Sequence, residues 1–167
     1  MRYRPFRWGE PYKPNWGQTL APIYILRLLQ ADGRLSNADL AERVSLSPSA
    51  CLRRVRALEE ANLIEAYAAV LNARAAGLAG VAFVLITLDQ QGRLALDRFE
   101  AAVGNHREIQ ECYLLAGAAD YMVRIVYADA EDFERVHTAI LTQLPGVVRV
   151  QSTLVLRTVK KSTALPV

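Results

Sequence analysis

Residues 45–60 read SLSPSACLRRVRALEE, and the way this stretch folds decides what the first part of the chain is. Ser47 suits a helix N-cap and Pro48 the first helical position, so a helix is expected to start there. It should run to about Ala61, with Asn62 in the left-handed conformation that ends it. Projected at roughly 100° per residue, Cys51, Leu52, Val55, Leu58 and Asn62 fall on one arc, which should pack inward. The opposite arc centres on Arg53 with Ser49, Ala50 and Ala57, flanked by Arg54 and Arg56. Three guanidiniums cannot share a core, so they face water, carboxylates or phosphate. Pairing with Glu59 and Glu60 accounts for Arg56 but leaves Arg53 without an acid four residues on, because Ala57 stands there.

The preceding residues supply the missing context. Leu20 to Ala31 is helical by pattern, with Ile25, Leu28 and Leu29 on one face and Pro22 tolerable in the first turn. Asp32-Gly33 stops it. A second short helix is expected from Asn37 to about Val44, followed by the tight Ser45-Leu46-Ser47 turn. Short helix, three-residue turn and capped second helix form a helix-turn-helix, whose second helix enters the major groove of double-stranded DNA. On this reading Arg53 makes a bidentate contact to guanine and Arg54 and Arg56 clamp phosphates. Ser47 and Ser49, with the free N–H groups of the helix start, hold a phosphate or base edge, and Ala50 permits close approach.

From Leu63 the period changes. Ile64 to Leu71 reads as a β-like connector and residues 77–80 as a loop. Then come a strand (82–88), a helix (93–103), a strand (110–116), a tight turn at Gly117 to Asp120, a strand (121–128), a helix (131–144) and a strand (147–159). This is βαββαβ, the ferredoxin-like order, so the whole chain is expected to be α+β. The resulting division is an irregular basic arm (1–19), a three-helix domain (20–63), a linker (64–80) and a ferredoxin-like domain (81–167). Both faces of the first strand are apolar, since Val84, Ile86 and Leu88 alternate with Phe83 and Leu85. Two helices cover only one face of the sheet, so a homodimer is expected to cover the other.

Composition excludes more than it selects. The 167 residues are 52% apolar, enough for a substantial core. Arg2, Arg4, Arg7 and Lys13 against Glu10 account for the whole net charge of +3. Bulk charge therefore gives no argument for nucleic acid, and the case rests on where individual arginines point. No stretch reaches the roughly 18 apolar residues of a membrane span, and no secretory leader is legible, so a cytoplasmic protein is expected. Cys51 and Cys112 lack ligand spacing and read as core filling. No metal, cofactor or catalytic residue is expected: His106 and His137 lie far apart without acids at ligand spacing. The competing class is a dimeric α+β barrel enzyme or sensor, which needs no Arg53 on a capped second helix.

ILRLLQADGRLSNADLAERVSLSPSACLRRVRALEEANLI, the following EAYAAVLN, then GAADYMVRIVYAD, LPGVVRVQSTLVLRTVK and the closing TALP together resemble the Lrp/AsnC family of bacterial and archaeal transcription regulators. The resemblance covers residues 20–167 in order. It implies a winged helix-turn-helix followed by a ferredoxin-like domain that binds an amino-acid effector and forms dimers, often assembled into tetramers or octamers. It places Gly117 and Asp120 in the effector site, Gly117 giving room for close backbone approach and Asp120 holding the ammonium. On residue chemistry alone, Asp120 equally fits a carboxylate that caps its own hairpin turn. Two departures stand out. The first helix opens Leu20-Ala21-Pro22-Ile23-Tyr24 instead of the acidic Leu-Asp-x-x-Asp pattern, and the Gly-x-aromatic-Asp turn is here Gly117-Ala118-Ala119-Asp120.

Overall fold

A computed structural model describes residues 21–167. The arm at 1–19, including Phe6, Trp8 and Trp16, lies outside the described residues. The chain divides into two compact units. One holds the helices up to Ala69 together with Lys161–Val167, and the other spans Val70–Lys160.

In the helical unit, α1 (Ala21–Ala31), α2 (Asn37–Arg43) and α3 (Pro48–Glu60) pack around Ile25, Leu40, Ala41, Cys51 and Leu58, all buried. Ser36 caps α2, accepting from the Asp39 amide at 3.2 Å, and Ser47 caps α3, accepting from the Ala50 amide at 3.3 Å. Both C-termini close through a left-handed residue, Ser45 (φ 54°) and Asn62 (φ 56°). After α2 the Leu46 amide reaches Ala41 O and the Ser45 amide reaches Glu42 O; after α3 the Leu63 and Asn62 amides reach Leu58 O and Glu59 O. These bonds satisfy the last carbonyls of each helix.

Leu52 departs from the expected inward arc and is 39% exposed. Cys51 and Leu58, one face and two turns apart, already fill the space against α1 and α2. Ile64 to Leu71 forms no strand, because it has no paired neighbour among the described residues to take its backbone groups. Tyr67 nonetheless anchors it, donating to Glu59 Oε1 at 3.0 Å. The last seven residues, expected in the ferredoxin-like domain, instead belong with the helical unit. Gln30 exchanges two hydrogen bonds with the Leu165 backbone, and Arg27 Nε donates to Val167 O at 2.6 Å.

The second unit carries β1 (Gly80–Leu88), α4 (Arg93–Val103), β2 (Ile109–Leu114), β3 (Tyr121–Tyr127), α5 (Ala130–Arg135) and β4 (Val147–Leu154). Its antiparallel sheet has the order β2-β3-β1-β4. Ala82, Val84, Ile86 and Leu88 of β1 meet Tyr121, Val123 and Ile125 of β3 beneath Phe99 and Val103 of α4. The expected continuous helix 131–144 is instead α5, a wider π-type turn (Val136–Ile140) and a short 3-10 turn (Leu141–Gln143). Thr138 and Thr142 hydroxyls bond the carbonyls four residues back, at Glu134 and Thr138, a competition that loosens a helix. The widened turn lets Val136, Ile140, Leu141 and Leu144 all reach the core. β4 ends at Leu154 rather than 159, two residues short of the start of β1 at Gly80; the Val155 amide still donates to Val81 O at 2.9 Å.

Candidate DNA-binding helix and effector loop

α3 presents the face the sequence implied. Arg53, Arg56, Ser47 and Ser49 are exposed, while Ala50 and Ala57 are half-buried and keep the surface low beside Arg53. Among the described residues no carboxylate lies within ion-pair distance of Arg53 or Arg56, so the surface-pairing reading through Glu59 and Glu60 finds no contact. Arg54 differs: it is half-buried and its Nη1 donates to Ala50 O at 3.3 Å, which holds the guanidinium against the first turn of its own helix. Ser47 and Ser49 hydroxyls lie 3.3 Å apart at the helix start, where amides are unpaired by the helix itself.

What holds this helix at a fixed angle was only partly visible in the sequence. Asn37, the first residue of α2, donates from Nδ2 to Pro48 O at 2.9 Å and so pins the start of α2 to the start of α3. Its Oδ1 is buried without a partner among the described residues. An asparagine just after an N-cap serine carries no sequence signal for this contact, since the contact spans the turn.

The loop joining β2 and β3 is built around Asp120. It is 8% exposed, the one buried charged residue among those described. Oδ2 accepts from the Leu88 amide and Oδ1 from Gln91 Nε2, both at 2.7 Å, while its own amide donates to Ile86 O at 3.0 Å. The carboxylate thus ties the loop to the end of β1. Gly117 is exposed, its φ is not left-handed, and a Cβ built there meets nothing within 4 Å. Nothing inside the folded unit requires glycine at that position. Ala118, exposed, and Ala119, half-buried, complete a small-residue loop.

Cys51 is buried, and that burial pushes its thiol up despite the opposing Arg54 charge. His137 packs near Phe133, with ring centroids 6.2 Å apart. His106 is half-buried in the turn after α4. The described residues contain no group of three or more His, Cys, Asp or Glu side chains placed to hold a metal ion. None of their helices is long and apolar enough to cross a membrane.

Comparison with known proteins agrees with this arrangement. Residues 25–65 match the winged helix-turn-helix DNA-binding family, and residues 81–165 match the Lrp/AsnC ligand binding domain. The leucine-responsive regulatory protein of Salmonella typhimurium is 40% identical, over 84% of this chain and 86% of that protein. A Neisseria meningitidis transcriptional regulator solved as an L-Met complex superposes with a TM-score of 0.82 at 37% identity, covering 87% of this chain and 94% of that one. An AsnC family transcriptional regulator from Agrobacterium tumefaciens superposes with a TM-score of 0.83 at 30% identity, covering 87% and 95%.

Proposed function

We infer that this chain, which belongs to the Lrp/AsnC family of transcriptional regulators, reads double-stranded DNA through Arg53 at the centre of the exposed α3 face. The observation that carries this reading is the exposed Arg53 and Arg56 pair, without carboxylate partners among the described residues, on a capped second helix. A guanidinium with its fork free is suited to the O6 and N7 acceptors of guanine, and Ala50 and Ala57 beside it allow the helix to come close. Arg56 takes a phosphate. Arg54 does so with its remaining donors, since one already bonds Ala50 O. Ser47 and Ser49 hold a phosphate or base edge at the helix start.

The same reading assigns the second unit to an amino-acid effector that modulates DNA binding in the cytoplasm. A relative solved with L-Met supports that ligand class. Gly117 supports its place: a glycine that no internal contact demands fits a loop approached closely from outside. Asp120 then shapes the loop from behind through Leu88 and Gln91, and the ammonium is held by another group. A second copy covers the apolar sheet face, and further association to tetramers or octamers follows the same reading.

Fluorescence anisotropy on an operator series and its base-substituted variants tests the DNA face. Arg53→Ala is expected to cost about 1–3 kcal/mol on the preferred sequence and to flatten preference at one position per half-site. Arg56→Ala is expected to weaken all sequences alike and to reduce the salt slope by about one unit. Unchanged preference in Arg53→Ala would overturn the docking.

A further inference from the structure

We propose that the groove between α4 and the edge strand β2 binds a primary ammonium carried on a short apolar chain, with the Glu100 carboxylate as its counterion. The inference deepens the effector reading and rests on the same ligand-binding unit, naming the group that takes the ammonium in place of Asp120.

Two helices cover a four-stranded sheet unevenly, and β2 lies at the edge of the order β2-β3-β1-β4. Cys112 and Leu114 stand opposite Val123 and Tyr121, which places them on the helix-covered face. Yet Leu114 remains 60% exposed and Cys112 is half-buried, so α4 does not close over them. Glu100 and Val103, three residues apart on α4, form the opposite wall. With Tyr121 as the floor, these five residues line an open groove of about 340 Å³, within the usual range for small-ligand sites.

The carboxylate in this groove is positioned. Tyr121 is 1% exposed and packs on Phe99 with ring centroids 4.4 Å apart, so its ring has little freedom. Its hydroxyl donates to Glu100 Oε1 at 2.8 Å. Among the described residues no cation pairs with Glu100, and its second oxygen is open to an incoming donor. The rest of the lining is apolar. Burial pushes the Cys112 thiol up to about 11, with the Glu100 charge adding to the effect, so at neutral pH it is an uncharged wall. A fixed anion beside an apolar wall selects a cation with a hydrocarbon or thioether tail and repels anions. Asp120 offers no such opening, since both of its oxygens are engaged inside the fold.

Calorimetric titration and thermal shift of the full chain provide the test, with two probes. One is L-methionine, and the other is 3-(methylsulfanyl)propylamine, the same side chain and amine without the carboxylate. Wild type is expected to bind the amine. Glu100→Gln should weaken it by about tenfold or more, because a charge-assisted bond becomes a neutral one. Tyr121→Phe, which keeps the ring packing, should weaken it by a smaller factor. Unchanged melting temperature in Glu100→Gln separates lost binding from lost folding. Failure of wild type to bind the amine, or equal affinity in Glu100→Gln, overturns the proposal. Methionine bound equally by wild type and Glu100→Gln leaves the amino-acid effector standing and removes this site. Glu100-dependent amine binding without a response to methionine does the reverse.

Discussion

At the scale of single residues, Asp120 and Ser45 show how a polar side chain is committed by the backbone around it. Asp120 accepts two bonds of 2.7 Å at 8% exposure, one of them from the otherwise unpaired Leu88 amide at a strand end. Removing the acceptor leaves a buried N–H without a partner, which costs more than the bond itself contributes. Asp120→Ala is therefore expected to destabilise the second unit by on the order of 3 kcal/mol, seen as a lower urea midpoint at unchanged slope, and Asp120→Asn by less. Ser45 is the opposite case. It holds φ 54° to close α2, a conformation that strains any residue with a Cβ. Ser45→Gly is expected to stabilise the helical unit by about 0.5–1 kcal/mol, relief of strain exceeding the added freedom of the unfolded chain. A lower melting temperature in Ser45→Gly would show that its side chain is needed in the turn ahead of the recognition helix.

At the scale of elements, Arg135 fastens the end of α5 to the start of β2. It pairs with Glu108 at 2.9 Å and Asp132 at 2.8 Å. The Arg135 hydrogen bond holds the Glu108 carboxyl below its ordinary value of 4.5, and the Ala128 amide followed by Arg135 holds Asp132 below 3.8. Both folded values are depressed, so their contribution is complete above those ordinary values and is lost as pH falls through the lower folded ones. The groups are partly exposed and solvent screens them, so the effect is modest. Arg135→Gln should flatten the acid limb of a melting temperature against pH profile below about pH 4.5 and leave the neutral region nearly parallel to wild type. The elements themselves were largely readable. Ser47-Pro48 and Asn62 bounded α3 because capping is a local matter, settled within a few residues. The π-type turn at Val136–Ile140 was hidden, since its apolar stripe has helical spacing and only the threonine back-bonds loosen it. Likewise the Gln30 clamp on Leu165 joins residues 135 positions apart, and no local pattern announces such a pairing.

At the scale of the whole molecule, the open face of the sheet is the feature with the largest consequence. Registry sets Phe83 opposite Arg124 and Leu85 opposite Met122, which in turn faces Tyr113. Phe83 and Leu85 are 38% and 37% exposed, although they sit on the sheet's central strand pair. At the centre of this face the charge is balanced internally: Arg124 Nε donates to Glu111 Oε1 at 2.7 Å, and Glu111 also accepts from Tyr113, while the exposed Arg149 lies towards its end, opposite Thr87. A face that is apolar at its centre, with its ion pair closed on itself, loses little by leaving water and gains hydrophobic burial when a second copy meets it. The alternation of Val84 and Ile86 with Phe83 and Leu85 carried this expectation in sequence, whereas the groove at Glu100 did not show itself, because β2 had first to be placed at the edge. Leu85→Glu puts a charge at the centre of that face, where pairing two copies would bury two carboxylates against each other. Sedimentation at micromolar concentration is expected to shift the variant to the monomer. Its second unit should stay folded, since the side chain is already partly in water in the single chain. The monomer should bind an isolated half-site nearly as the wild type does and lose the preference for two half-sites spaced by a helical turn or its multiple. An unchanged sedimentation coefficient in Leu85→Glu would mean that this face is not where copies of the chain meet.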